Sequence, residues 1–211
     1  MQSSALEILR QQLREKFPQA HVVRSNPASP VSREKPFRAD EFPQGKISEV
    51  VPSGPSAGLI LLFAGLMGDP VEASPHPELV LVDGADSFDP ESFTGAACSK
   101  MLWVRCSSAQ EMLRAADLLV HDGNIPLILL DATGLDRREL ASLPASAWWR
   151  LNQTVERTGG RLVVMAPFPL VPCASLRLSL SAGLSLLDFD DSRGELVNRL
   201  HATPSRLRHA T

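Results

Sequence analysis

The sequence of 211 residues is 44% hydrophobic and 21% charged, with a formal net charge of −3. That is the balance of a globular domain able to bury a core, and not of a protein that coats nucleic acid through overall basicity. The opening Met1-Gln2-Ser3-Ser4 lacks a basic and apolar leader, and the longest apolar run, Leu59 to Met67, falls short of the roughly 20 residues that span a bilayer.

In chain order, Leu6, Ile8, Leu9 and Leu13 place one apolar stripe on a helix. Residues 1–24 therefore read as a helical arm. A stretch rich in Pro, Ser and Arg follows, with Pro27, Pro30 and Pro36 and no periodicity, so 25–43 reads as a linker. Residues 44–190 then alternate strands and helices. Strands are expected at Lys46–Val51, Glu78–Val82, Met101–Arg105, Ile125–Leu130 and Arg161–Ala166. Leu59 to Met67 reads as a fully buried helix. Ser108 and Glu111 form a capping-box signature for a helix that stops at Gly123, and another helix ends at Gly159-Gly160. Ser175–Leu180 and Leu184–Phe189 alternate as an edge hairpin turning at Ala182-Gly183. Residues 191–211 read as a polar, basic tail. The pattern predicts an α/β domain with a mostly parallel sheet and helices on both faces.

The three cysteines, Cys98, Cys106 and Cys173, stand outside any C-x-x-C pair. They read as buried, reduced thiols in a reducing compartment, so a cytoplasmic protein without membrane contact is expected. Asp83, Asp86 and Asp89 lack a His or Cys partner and the spacing of a calcium loop, so turn and cap roles are expected. Of the adjacent Trp148 and Trp149, about 100° apart on a helix, only one can face the core squarely.

The segment Pro52 to Gly58 joins a strand to a helix, the place where phosphate-binding loops sit. Its chemistry differs from theirs. The lysine position falls at Gly58 and the magnesium-binding hydroxyl at Leu59, while Pro52 and Pro55 remove amide donors. Ser53, Gly54, Ser56 and Gly58 would make up a degenerate phosphate loop. Gly54-Pro55-Ser56-Ala57-Gly58 also matches G-x-S-x-G, so a serine hydrolase using Ser56 with Asp131 and His201 is an alternative. That elbow normally follows several strands, whereas only an arm and a linker precede this one.

Gly45 to Val51, Leu81 to Pro90 and the approach to Asp131 are similar in order to RecA-type recombinases. Leu102-Trp103-Val104-Arg105, Trp148-Trp149-Arg150-Leu151 and Pro167 to Pro172 followed by Leu176-Arg177-Leu178 resemble the RecA-like proteins of the ImuA type. Those proteins accompany a polymerase homologue, ImuB, and an error-prone polymerase in bacterial damage-induced mutagenesis. The resemblance implies a RecA-like core with Asp131 as the remnant Walker B acid. It also places Ala85 where a water-orienting acid is expected and Pro167-Phe168 where a phosphate sensor is expected. Neither cofactor nor metal is expected, and DNA binding is expected to be weak or indirect. The implied function is a non-catalytic adaptor in translesion synthesis that contacts an ImuB-type protein, RecA or the error-prone polymerase. Leu6, Leu9 and Leu13 of the arm and Arg199, Arg206 and Arg208 of the tail are the candidate contacts. The alternative within this family is a weak ATP- or DNA-binding regulator.

Overall fold

The computed structural model describes residues 11, 12, 15, 16, 37–54, 58–67, 78–184, 188 and 190–207. Leu6, Leu9, Leu13, Ser56 and Arg208 lie outside them. The arm's described residues, Gln11, Gln12, Glu15 and Lys16, are helical.

Seven strands form one sheet: β1 (Lys46–Pro52), β2 (Leu79–Asp83), β3 (Met101–Arg105), β4 (Leu127–Asp131), β5 (Arg161–Met165), β6 (Leu176–Ala182) and β7 (Leu200–Leu207). Their order is β3-β2-β4-β5-β1-β6-β7. The first six are parallel, and β7 runs antiparallel to β6. All five residues of β2 are buried, as are the apolar residues of β4. That is why these segments read as unbroken apolar runs rather than alternating ones.

On one face lie α3 (Ala109–Asp122), α4 (Arg137–Ala141) and α5 (Ala145–Thr158); on the other lie α1 (Leu59–Met67) and α6 (Arg193–Val197). A further single-turn helix, α2 (Gly95–Cys98), precedes β3. Of the expected capping box only the Ser108 half forms, since the Glu111 carboxylate accepts from Ser107 N and Oγ and not from Ser108 N. Ser108 Oγ accepts from Glu111 N at the start of α3. Gly123 and Gly159 close α3 and α5 at φ 73° and 74°, a conformation that costs glycine nothing. Met112, Ala116 and Val120 of α3 and Trp148, Leu151 and Val155 of α5 fill the core on that face.

Three expectations change. First, the antiparallel partner of β6 is a later segment, with Leu176 to Ala182 aligned with Leu207 back to Leu200, while most of the expected strand at Leu184–Phe189 lies outside the described residues. The antiparallel edge is present, but its second strand comes from the segment read as a tail, which also supplies α6. Second, the end of the linker belongs to the core. Phe37 and Phe42 are each 1% exposed, and the Phe42 carbonyl accepts from Arg161 Nε at 2.9 Å. Third, α1 is not buried all round. Leu61, Leu62 and Phe63 face inward, while Ile60 is 48% exposed.

Candidate functional site

Parallel strands gather the loops that follow them along one edge of the sheet, the usual position for ligand chemistry in an open α/β fold. Here that edge carries the segment after β1, the carboxylates ending β2 and β4, and the run after β5.

Ser53 and Gly54 are exposed at the end of β1, where Ser53 N donates to the Leu180 carbonyl at 2.8 Å. Gly58 is buried at φ 82°, and its carbonyl accepts from Leu61 N and Leu62 N, both at 3.0 Å, to start α1. A Cβ at this position would stand 2.5 Å from Leu200 Cδ2 and 2.9 Å from Ala182 Cβ. Backbone conformation and packing therefore both oppose a side chain at residue 58.

Asp131 ends β4 in register with Asp83 on β2. Its Oδ1 accepts from Thr133 N at 2.9 Å and from Thr133 Oγ1 at 2.5 Å, forming the cap of its own turn. Burial pushes the Asp131 carboxyl above the ordinary carboxylate range. The two Thr133 hydrogen bonds pull it down, and the neighbouring Asp83 pushes it up. Asp83 is fully buried and accepts from Ser87 N (3.0 Å), Phe88 N (2.8 Å) and Trp103 Nε1 (3.3 Å). It thereby fixes the loop that follows it. Asp86, at φ 52°, forms a two-pronged pair with Arg105 at 2.5 Å, and that guanidinium holds its carboxyl below the usual range. Asp89 accepts from Glu91 N and Ser92 Oγ. All three aspartates thus have turn, cap or pairing roles.

The loops after β2 and β4 meet without a gap. A Cβ on Gly134 would stand 2.7 Å from Ala85 Cβ, and one on Gly84 2.7 Å from Leu135 Cδ1. Asp136 caps α4, and Glu139 Oε1 accepts from Ala109 N at 2.6 Å, so the segment after β4 also closes the start of α3. Arg137 lies over the Phe168 ring at 4.1 Å.

The residues missed in the sequence are Glu49 and Arg177. Glu49 is fully buried on β1, directly in register with Arg177 on β6. Arg177 Nε donates to Glu49 Oε2, and Arg177 Nη2 donates to the Val171 carbonyl at 2.9 Å. Glu49 Oε1 accepts from Leu170 N at 2.5 Å and Val171 N at 2.9 Å. One buried ion pair therefore pins Leu170 and Val171, in the run after β5, against β1. An acid between Ile47 and Val50 was the available signal, since a charge is rarely buried without a partner.

The remaining candidates do not converge on this edge. Asp131 and His201 sit on β4 and β7, four strand spacings apart, on the order of 19 Å, so the partners named for a Ser56 hydrolase are not brought together. Arg199 is held by Asp188 and, at 2.5 Å, by Asp191. Arg206 lies on β7 opposite Arg177. Trp148 is buried and Trp149 is 46% exposed, the split expected of helical neighbours.

No protein-family model matches the sequence, and no curated protein does. Among solved structures the chain is similar to the RadB recombinase, with 18% identity over 67% of this chain and 76% of that one, at a TM-score of 0.49.

Proposed function

We propose that the chain is a non-catalytic RecA-like adaptor that works through protein–protein contacts in the bacterial response to DNA damage. The observation that carries the non-catalytic half is Gly58. A phosphate-binding lysine would have to project from a buried position with φ 82°, through space held by Leu200 and Ala182. The surrounding groups support the same reading. Leu59 offers no hydroxyl for a metal, Asp131 is committed to Thr133, and the Ala85 methyl is packed against Gly134. Electrostatic stabilisation of a transferring phosphoryl group needs such cations and acids together.

The adaptor half rests on the sequence resemblance to the ImuA type, with an ImuB-type polymerase homologue, RecA or the error-prone polymerase as the proposed partners. Purified chain mixed with each of these should retain at least one on co-purification. Retention of none, together with stabilisation by Mg-ATP, would replace this reading with that of a nucleotide-binding regulator.

A further inference from the structure

Two helices on one face of the sheet, α3 and α5, leave a cleft of about 310 Å³ between them. The stripe Gln110, Leu113, Arg114 and Asp117 on α3 faces Leu143, Pro144, Ala147 and Arg150 at the start of α5. The i, i+3, i+4, i+7 spacing puts the α3 set along one side of its helix, while Leu143 and Pro144 lead into α5 and Ala147 and Arg150 lie on its first turns. The floor is apolar and the mouth is charged, with two arginines against one aspartate. Arg150 Nε stands 3.8 Å from Asp117 Oδ1, too far for a hydrogen bond. Among the described residues, neither the Arg114 nor the Arg150 guanidinium makes a hydrogen bond. One position from Asp117 and Arg150, respectively, stand Leu118, 74% exposed, and Trp149, 46% exposed.

We propose that this cleft docks a short acidic segment of a partner protein, with an apolar side chain in the cleft and carboxylates on Arg114 and Arg150. This deepens the adaptor reading and rests on it for the existence of a partner. Guanidinium groups without other hydrogen bonds favour planar, two-pronged carboxylate recognition, and the exposed Trp149 beside Arg150 is an aromatic of the kind enriched at interfaces. A single nucleic-acid strand fits less well. The cleft is lined largely by apolar side chains and has room for one of a partner's, whereas a strand's phosphate backbone offers none.

The test is to pan a random dodecapeptide phage library on the full chain, with counter-selection on Arg114→Glu/Arg150→Glu. Both sites are exposed, so the variant should keep the wild-type melting temperature; Arg150→Gln alone provides a milder second variant. The expected peptides combine Asp or Glu with Leu, Phe or Trp, and bind the charge-reversed variant about tenfold or more weakly, the loss of one strong contact. The proposal is overturned if no peptide is enriched, if enriched peptides lack acids, if they bind the variants equally, or if oligothymidylate outcompetes them. Co-purification with a partner that survives Arg114→Glu/Arg150→Glu also defeats the cleft and leaves the adaptor reading standing. Mg-ATP binding defeats the adaptor reading alone.

Discussion

Glu49 and Arg177 show how a single buried pair can organise a loop, here through Leu170 and Val171. Glu49 is fully buried and Arg177 has a side-chain exposure of 15%. Glu49→Gln keeps an acceptor for Leu170 N and Val171 N but strands the guanidinium charge. It should lower unfolding stability by about 3–5 kcal/mol in urea denaturation. Glu49→Gln combined with Arg177→Met should cost less than the two single changes added together, because the stranded charge is then gone. Asp131 makes the opposite prediction. Its carboxyl is raised above its ordinary value of 3.8, chiefly by burial, so between that value and its folded value the native chain holds more protons than the unfolded one. The stability it contributes is complete at the acid end of that window and lost as pH rises through it. Asn at this position can still accept from Thr133 and carries no charge. Asp131→Asn should therefore gain stability relative to wild type as pH rises, measured by thermal melts across the acid range. Stability relative to wild type that stays level or falls would show that the carboxylate is stabilised by something other than Thr133.

At the scale of elements, the strands with continuous apolar runs and the helices with polar caps were readable, because their burial is written in consecutive residues. β2, β4, α3 and α5 all fall within a few residues of their expected places. The edges were not readable. Leu184 to Phe189 alternates as a strand would, but β6 pairs with Leu200 to Leu207, whose Pro204 and polar residues disguise it. Pro is tolerated there because an edge strand need not donate on both sides. Phe37 and Phe42 were hidden for a related reason: isolated aromatics in a Pro-rich stretch carry no period. Both are nearly inaccessible, so Phe37→Ala or Phe42→Ala should cost about 3–5 kcal/mol by urea denaturation. A loss under about 1 kcal/mol, within the range of ordinary surface substitutions, would restore the linker boundary at residue 43.

Across the whole molecule, β7 packs against Gly58 at the start of α1. β7 supplies Leu200, which occupies the space beside Gly58, so the strand that completes the sheet is also the one that fills the space a side chain at residue 58 would need. The glycine at residue 58 was legible in the sequence, but its packing was not, because nothing local connects residue 58 with residue 200. Reinstating the side chain by Gly58→Lys should therefore destabilise the domain, through positive φ and overpacking, by about 1–3 kcal/mol, and should not create nucleotide affinity. The most direct measurement of the central claim is calorimetric titration of the intact wild-type chain with Mg-ATP, supported by its melting temperature at millimolar nucleotide. No binding heat and no change in melting temperature are predicted. A saturable isotherm with a matching rise in melting temperature would contradict the claim.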